Sequence, residues 1–104
     1  MILLLALASA TTLATPPVLD ESTATLLRQR LERARAVISR DAEGKAVCAA
    51  RPTTDEDRLD EMLCDEALRC VARGAKGAGA VNACVARYKP EMLLAMRRLR
   101  EYSR

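Results

Sequence analysis

Residues 64–84 read CDEALRCVARGAKGAGAVNAC and hold three of the chain's four cysteines and three of its four glycines. Before Gly74, the apolar residues Leu59, Met62, Leu63, Ala67, Leu68, Cys70 and Val71 recur at helical steps, which predicts a helix from about Asp55 to Arg73. Gly74 to Gly79 frees the backbone at three of six positions and predicts a turn. Val81, Cys84, Val85 and Tyr88 then predict a third helix starting near Ala80. The stretch thus reads as two antiparallel helices folded about position 77.

The cysteines constrain that hairpin. Cys64 and Cys70 share one predicted helix, where six residues put their Cα atoms roughly 9 Å apart and about 120° apart around the axis. A disulfide does not span that separation. Opposed residues in a helical hairpin lie at equal distances from the turn, and the midpoint of Cys70 and Cys84 is position 77. The expected bonds are therefore Cys70–Cys84 and Cys48–Cys64. A tetracysteine zinc site would need closely spaced ligand pairs, but the gaps are fifteen, five and thirteen residues and the chain has no histidine. Thiol exchange and covalent haem attachment both call for a Cys-x-x-Cys spacing that is missing here. No metal and no cofactor is expected.

Outward from the hairpin, Ala24, Leu27, Leu31, Ala34 and Ile38 form one helical stripe, which predicts a first helix from Leu19 to about Gly44, with Asp20, Ser22 or Thr23 as its cap. Thr53 and Thr54, followed by Asp55, Glu56 and Asp57, read as the capped, acidic start of the second helix. Pro90 interrupts the third helix, and a last one runs from Glu91 to Tyr102 with Met92, Ala95, Met96, Leu99 and Tyr102 on one face. No strand-like alternation is read. The fold class expected is all-α: a small bundle or hairpin of three to four helices, stapled by two disulfides.

At 104 residues the chain suits one domain, and with no Trp or Phe its core must be built from Leu, Ala, Val and Met. Met1 to Ala14 carries no charged side chain and ends in small residues before Pro16 and Pro17. Residues 1–14 read as a cleavable secretory signal, with cleavage after Ala14 or alternatively Ala10, residues 15–19 as a linker, and 20–104 as the helical domain. Disulfides and a leader point to a periplasmic or extracellular address. The preference for Arg over Lys and the abundance of Ala suggest a GC-rich bacterial source.

Without histidine the commonest general base is lost, and no Ser or Thr sits in a nucleophile elbow. No enzyme is expected. Asp55, Glu56, Asp57, Asp60, Glu61, Asp65 and Glu66 crowd the start of the second helix, while the first and last helices are rich in Arg. This segregation either pairs internally or leaves a charged face for a partner, with Arg28, Arg35, Asp57, Asp60, Glu61, Arg97, Arg98 and Arg100 as candidate contacts. A net charge of +3 without a reading motif does not support nucleic-acid binding. The expectation is an exported protein-interaction module: an inhibitor, an immunity-type binder or an accessory subunit whose partner is another protein. The alternative is a secreted membrane-active or toxin-like protein that uses its basic amphipathic helices at a membrane surface.

Overall fold

The computed structural model describes residues 21–102, and the expected leader, the linker and the cap residue Asp20 lie outside them. The order of elements is α1 (Glu21–Arg33), β1 (Arg35–Arg40), β2 (Ala46–Arg51), α2 (Asp57–Ala72), α3 (Gly77–Ala86) and α4 (Lys89–Tyr102).

The all-α expectation is corrected by the hairpin of β1 and β2. The predicted first helix ends at Arg33, and Arg35–Arg40 pairs antiparallel with Ala46–Arg51, Ile38 opposite Cys48 and Ala36 opposite Ala50. Arg33, Ala34, Arg35 and Ala36 already alternate polar with small apolar residues, and Val37, Ile38 and Val47 are β-branched. The spacing of Ala34 and Ile38 happens to fit a helix as well as a strand face. The turn decides between them. Gly44 adopts φ +82 and its N–H donates to the Asp41 carbonyl at 2.9 Å. The Asp41 N–H donates to the Lys45 carbonyl at 2.9 Å, so Ala42, Glu43 and Gly44 form a three-residue hairpin loop of the bulged type. Asp41 Oδ1 accepts the N–H groups of Glu43 and Lys45, both at 2.9 Å, and holds that loop from inside.

The core gathers around α2. Its buried stripe Leu59, Leu63, Ala67 and Cys70 meets Leu27 and Leu31 of α1, Ala36 of β1, Val81 and Val85 of α3, and Met92 and Met96 of α4. Both disulfides end on this helix. Cys48–Cys64 ties β2 to it and Cys70–Cys84 ties α3 to it, with Cα separations of 5.7 and 6.1 Å. This is the pairing selected by the spacing, although Cys48 reaches Cys64 from a strand.

The turn after α2 is shorter than its glycines suggest. The N–H of Ala75 returns to the Cys70 carbonyl at 3.0 Å and that of Gly74 to the Val71 carbonyl at 2.9 Å, a Schellman closure that needs the positive φ of Gly74. Gly77 and Gly79 belong to α3. Pro90 falls in the first turn of α4, where its missing N–H costs no helical bond.

The threonines before α2 do not cap it as expected. Glu56 is the N-cap residue and makes no side-chain cap bond. Instead, the hydroxyl of Thr53 bonds Asp60 Oδ2, while the backbone N–H and hydroxyl of Thr54 donate to Asp60 Oδ1 at 2.9 and 2.6 Å. Thr54 is fully buried. Burial raises the Asp60 pKa, but the bonds from Thr53 and Thr54 outweigh it and hold the carboxyl below its ordinary value.

Replacing Cys70 and Cys84 together by Ser removes the crosslink that restricts the unfolded chain and is expected to lower the urea-unfolding free energy by about 3 kcal/mol. Asp60→Ala leaves the Thr54 backbone N–H without its acceptor, while the hydroxyl keeps the Glu56 carbonyl at 3.1 Å, and is expected to cost about 1–3 kcal/mol. Because the native Asp60 pKa is depressed, the stabilisation from its ionised form is present above about pH 4 and fades as pH falls through the native pKa. Urea melts of wild type and Asp60→Ala should therefore converge on acidification.

Candidate docking groove

The antiparallel register fixes where the backbone of β1 points. Asp41 and Lys45 bond across the ladder, so by alternation the odd-numbered residues of β1 face β2 and the even-numbered ones face the opposite edge. Ala36 conforms. Its N–H donates to Asn82 Oδ1 at 2.9 Å, and its carbonyl accepts from Asn82 Nδ2 at 3.0 Å. The Asn82 side chain, presented by α3, thus stands in for one residue of a neighbouring strand. Its Nδ2 also reaches the Ala78 carbonyl one turn back at 3.0 Å, which orients the amide.

Beyond Asn82 the edge borders a groove of about 510 Å³ between β1 and the α2–α3 hairpin. Ile38 forms its strand side, and Val71, Ala75, Ala78 and Val81 its helical side. Val71 is 44% exposed, so the helical side of the groove is open to solvent. The charged residues lining the groove are Arg35 and Lys76, and no carboxylate lines it.

The outer face of the hairpin is also cationic. Arg35 and Arg51 are register partners and both are exposed, so two like charges stand directly opposite each other. Val37 and Val47 are each 44% exposed on the same face. Lys89 lies nearby. It donates to the Ala34 carbonyl at 2.9 Å and the Glu32 carbonyl at 3.5 Å, which satisfies the end of α1 from the start of α4. Burial lowers its pKa, the charge of Arg35 lowers it further, and Glu32 acts in the opposite sense.

The contacts anticipated from charge segregation divide. Arg100 pairs with Glu56 at 2.8 Å and Glu61 with Arg58 at 3.7 Å, and Asp60 is taken up by the two threonines. These three serve internal contacts. Asp57 opens α2 and Arg98 lies on α4, both exposed and without a polar partner among the described residues. Arg28 and Arg97 come together at a second groove of about 410 Å³ between α1 and α4, where Glu21 shares the lining. Arg35 is brought to the first groove.

A separate polar cluster covers the Cys70–Cys84 bond. Buried Glu66 accepts from Arg73 at 2.7 Å and lies 3.3 Å from Arg69, and the Arg73 guanidinium sits 5.4 Å from the Tyr88 ring centre. The hydrogen bond to Glu66 raises the Arg73 pKa above its ordinary value. All four sulfurs are in disulfides, and among the described residues no group of His, Cys, Asp or Glu side chains could hold a metal. Among the same residues, no helix is long and apolar enough to cross a membrane.

Sequence reasoning missed Asn82, Ile38, Val71 and Lys76. Asn82 carried the one available signal: it is the chain's sole asparagine, set within an Ala- and Val-rich helix. Compared with known protein families, curated proteins and solved structures, the chain matches none.

Asn82→Ala leaves the Ala36 N–H and carbonyl without their partner and is expected to cost about 1–2 kcal/mol in urea unfolding. Amide hydrogen exchange at Ala36 should accelerate in this variant, while exchange in α2 follows only the global change.

Proposed function

We propose that the chain is an exported, non-enzymatic binding module whose partner is a protein presenting an acidic surface. The observation that carries this reading is the Arg35–Arg51 pair, held by the strand register on the open face of the hairpin beside exposed Val37 and Val47. Directly opposed like charges weaken a two-stranded ladder. Carboxylates from a docked partner would neutralise both, and the two valines supply apolar area between them.

Other features support the same reading. Two disulfides suit an oxidising compartment and hold a small core rigid, which lowers the ordering cost of association. Met92 and Met96 of α4 turn into the core, so much of the apolar stripe that would make a membrane-surface helix is already occupied.

Crosslinking in the exported fraction of the native host tests the proposal. A chain lacking residues 1–14 and four hydrogens lighter than its reduced form is expected, with one stoichiometric protein adduct. The adduct yield should fall as salt rises and by about tenfold in the double variant Arg35→Glu, Arg51→Glu. An adduct indifferent to both arginines, or a leader-bearing cytosolic chain with four titratable thiols, overturns the reading.

A further inference from the structure

We infer that the free edge of β1 at Ile38 is a strand-addition site for an extended acidic segment of a partner protein; this rests on the binding-module reading above. The juxtaposition behind it is specific. Ala36 shows that this edge aims its N–H and carbonyl away from β2, because Asn82 bonds both. Ile38 is the next residue with the same orientation, and no described side chain or backbone group meets its N–H or carbonyl on that side. The Asn82 amide therefore occupies the place of one added residue, and the position two residues further along is open.

The groove beside it has the form an added strand requires. A strand laid along β1 presents alternate side chains to the groove and to solvent. Those turned inward would meet Val71, Ala75 and Ala78, and a Cβ placed on Gly77 would meet nothing within 4 Å, so the wall leaves room for them. A helix in the same groove would leave the Ile38 backbone groups unpaired, which argues for an extended occupant.

Charge selects its chemistry. Arg35 and Lys76 flank the groove without a carboxylate among its lining residues, so glutamate or aspartate beside small aliphatic residues complements it. A basic segment would be repelled at both ends. A second copy of this chain, at net charge +3, is a poorer fit than an acidic partner.

The test uses the oxidised chain and a short blocked peptide alternating valine with glutamate, its lysine counterpart, and the glutamate peptide with alternate amides N-methylated. Expected is saturable binding of the glutamate peptide, weakening with salt, with exchange of the Ile38 amide slowed about tenfold or more while that of Ala36, already bonded, barely changes. The lysine and N-methylated peptides should bind at least tenfold more weakly, as should the glutamate peptide to Val71→Asp, a change at an exposed position that leaves the core intact. Lack of glutamate-peptide binding, or binding without protection of Ile38, overturns strand addition. So does a concentration-dependent dimer that protects Ile38 without peptide. The crosslinking experiment reports separately: an arginine-dependent adduct with an unprotected Ile38 leaves the binding module standing and removes only the strand-addition site.

Discussion

Both disulfides start from α2 and leave it in different directions. Cys64 and Cys70 lie six positions apart, so their side chains diverge around the helix. The geometry that prevents them from bonding each other lets one hold β2 and the other hold α3. A chain without Trp or Phe has little large apolar surface to bury, and a two-stranded hairpin is marginal in isolation. Anchoring both neighbours on one helix lets a core of leucine, alanine, valine and methionine suffice.

The groove is a consequence of that anchoring. With β2 bonded to α2 on one side and α3 bonded on the other, β1 becomes the outer strand and lies beside α3. Asn82 joins the two at Ala36 and stops there, which leaves the rest of the edge facing Val71 and the start of α3. Native proteins commonly protect such edges with charge, and here Arg35 and Arg40 flank the apolar centre of the strand. Self-pairing is discouraged by the same charges that would attract an acidic segment.

Polar side chains hold the junctions that the small core cannot. Lys89 completes the end of α1 from α4, Asp60 organises the approach to α2 through Thr53 and Thr54, and Glu66 with Arg73 covers the Cys70–Cys84 bond. Each is a contact between groups distant from a regular ladder. Much of the charge that looked available for a partner is used this way, Glu56 with Arg100 being one example. Among the charges that remain open are two arginine pairs, Arg35 with Arg51 on the hairpin and Arg28 with Arg97 between α1 and α4, and the exposed Asp57 at the start of α2.

Local spacing alone determined α2, the helices on either side of Pro90 and the cysteine pairing, because each depends on periodicity or distance within a short stretch. Tertiary structure decided the rest. The spacing of Ala34 and Ile38 fits either a helical stripe or a strand face, and only pairing with residues 46–51, about the turn closed by Asp41 and Gly44, makes Arg35–Arg40 a strand. The groove was equally hidden, since its residues come from β1, α2 and α3 and share no sequence pattern. A backbone hydrogen bond between strands, or an asparagine amide reaching across 46 positions to Ala36, has no trace in local propensity: its stabilisation exists only once the chain has brought both partners together.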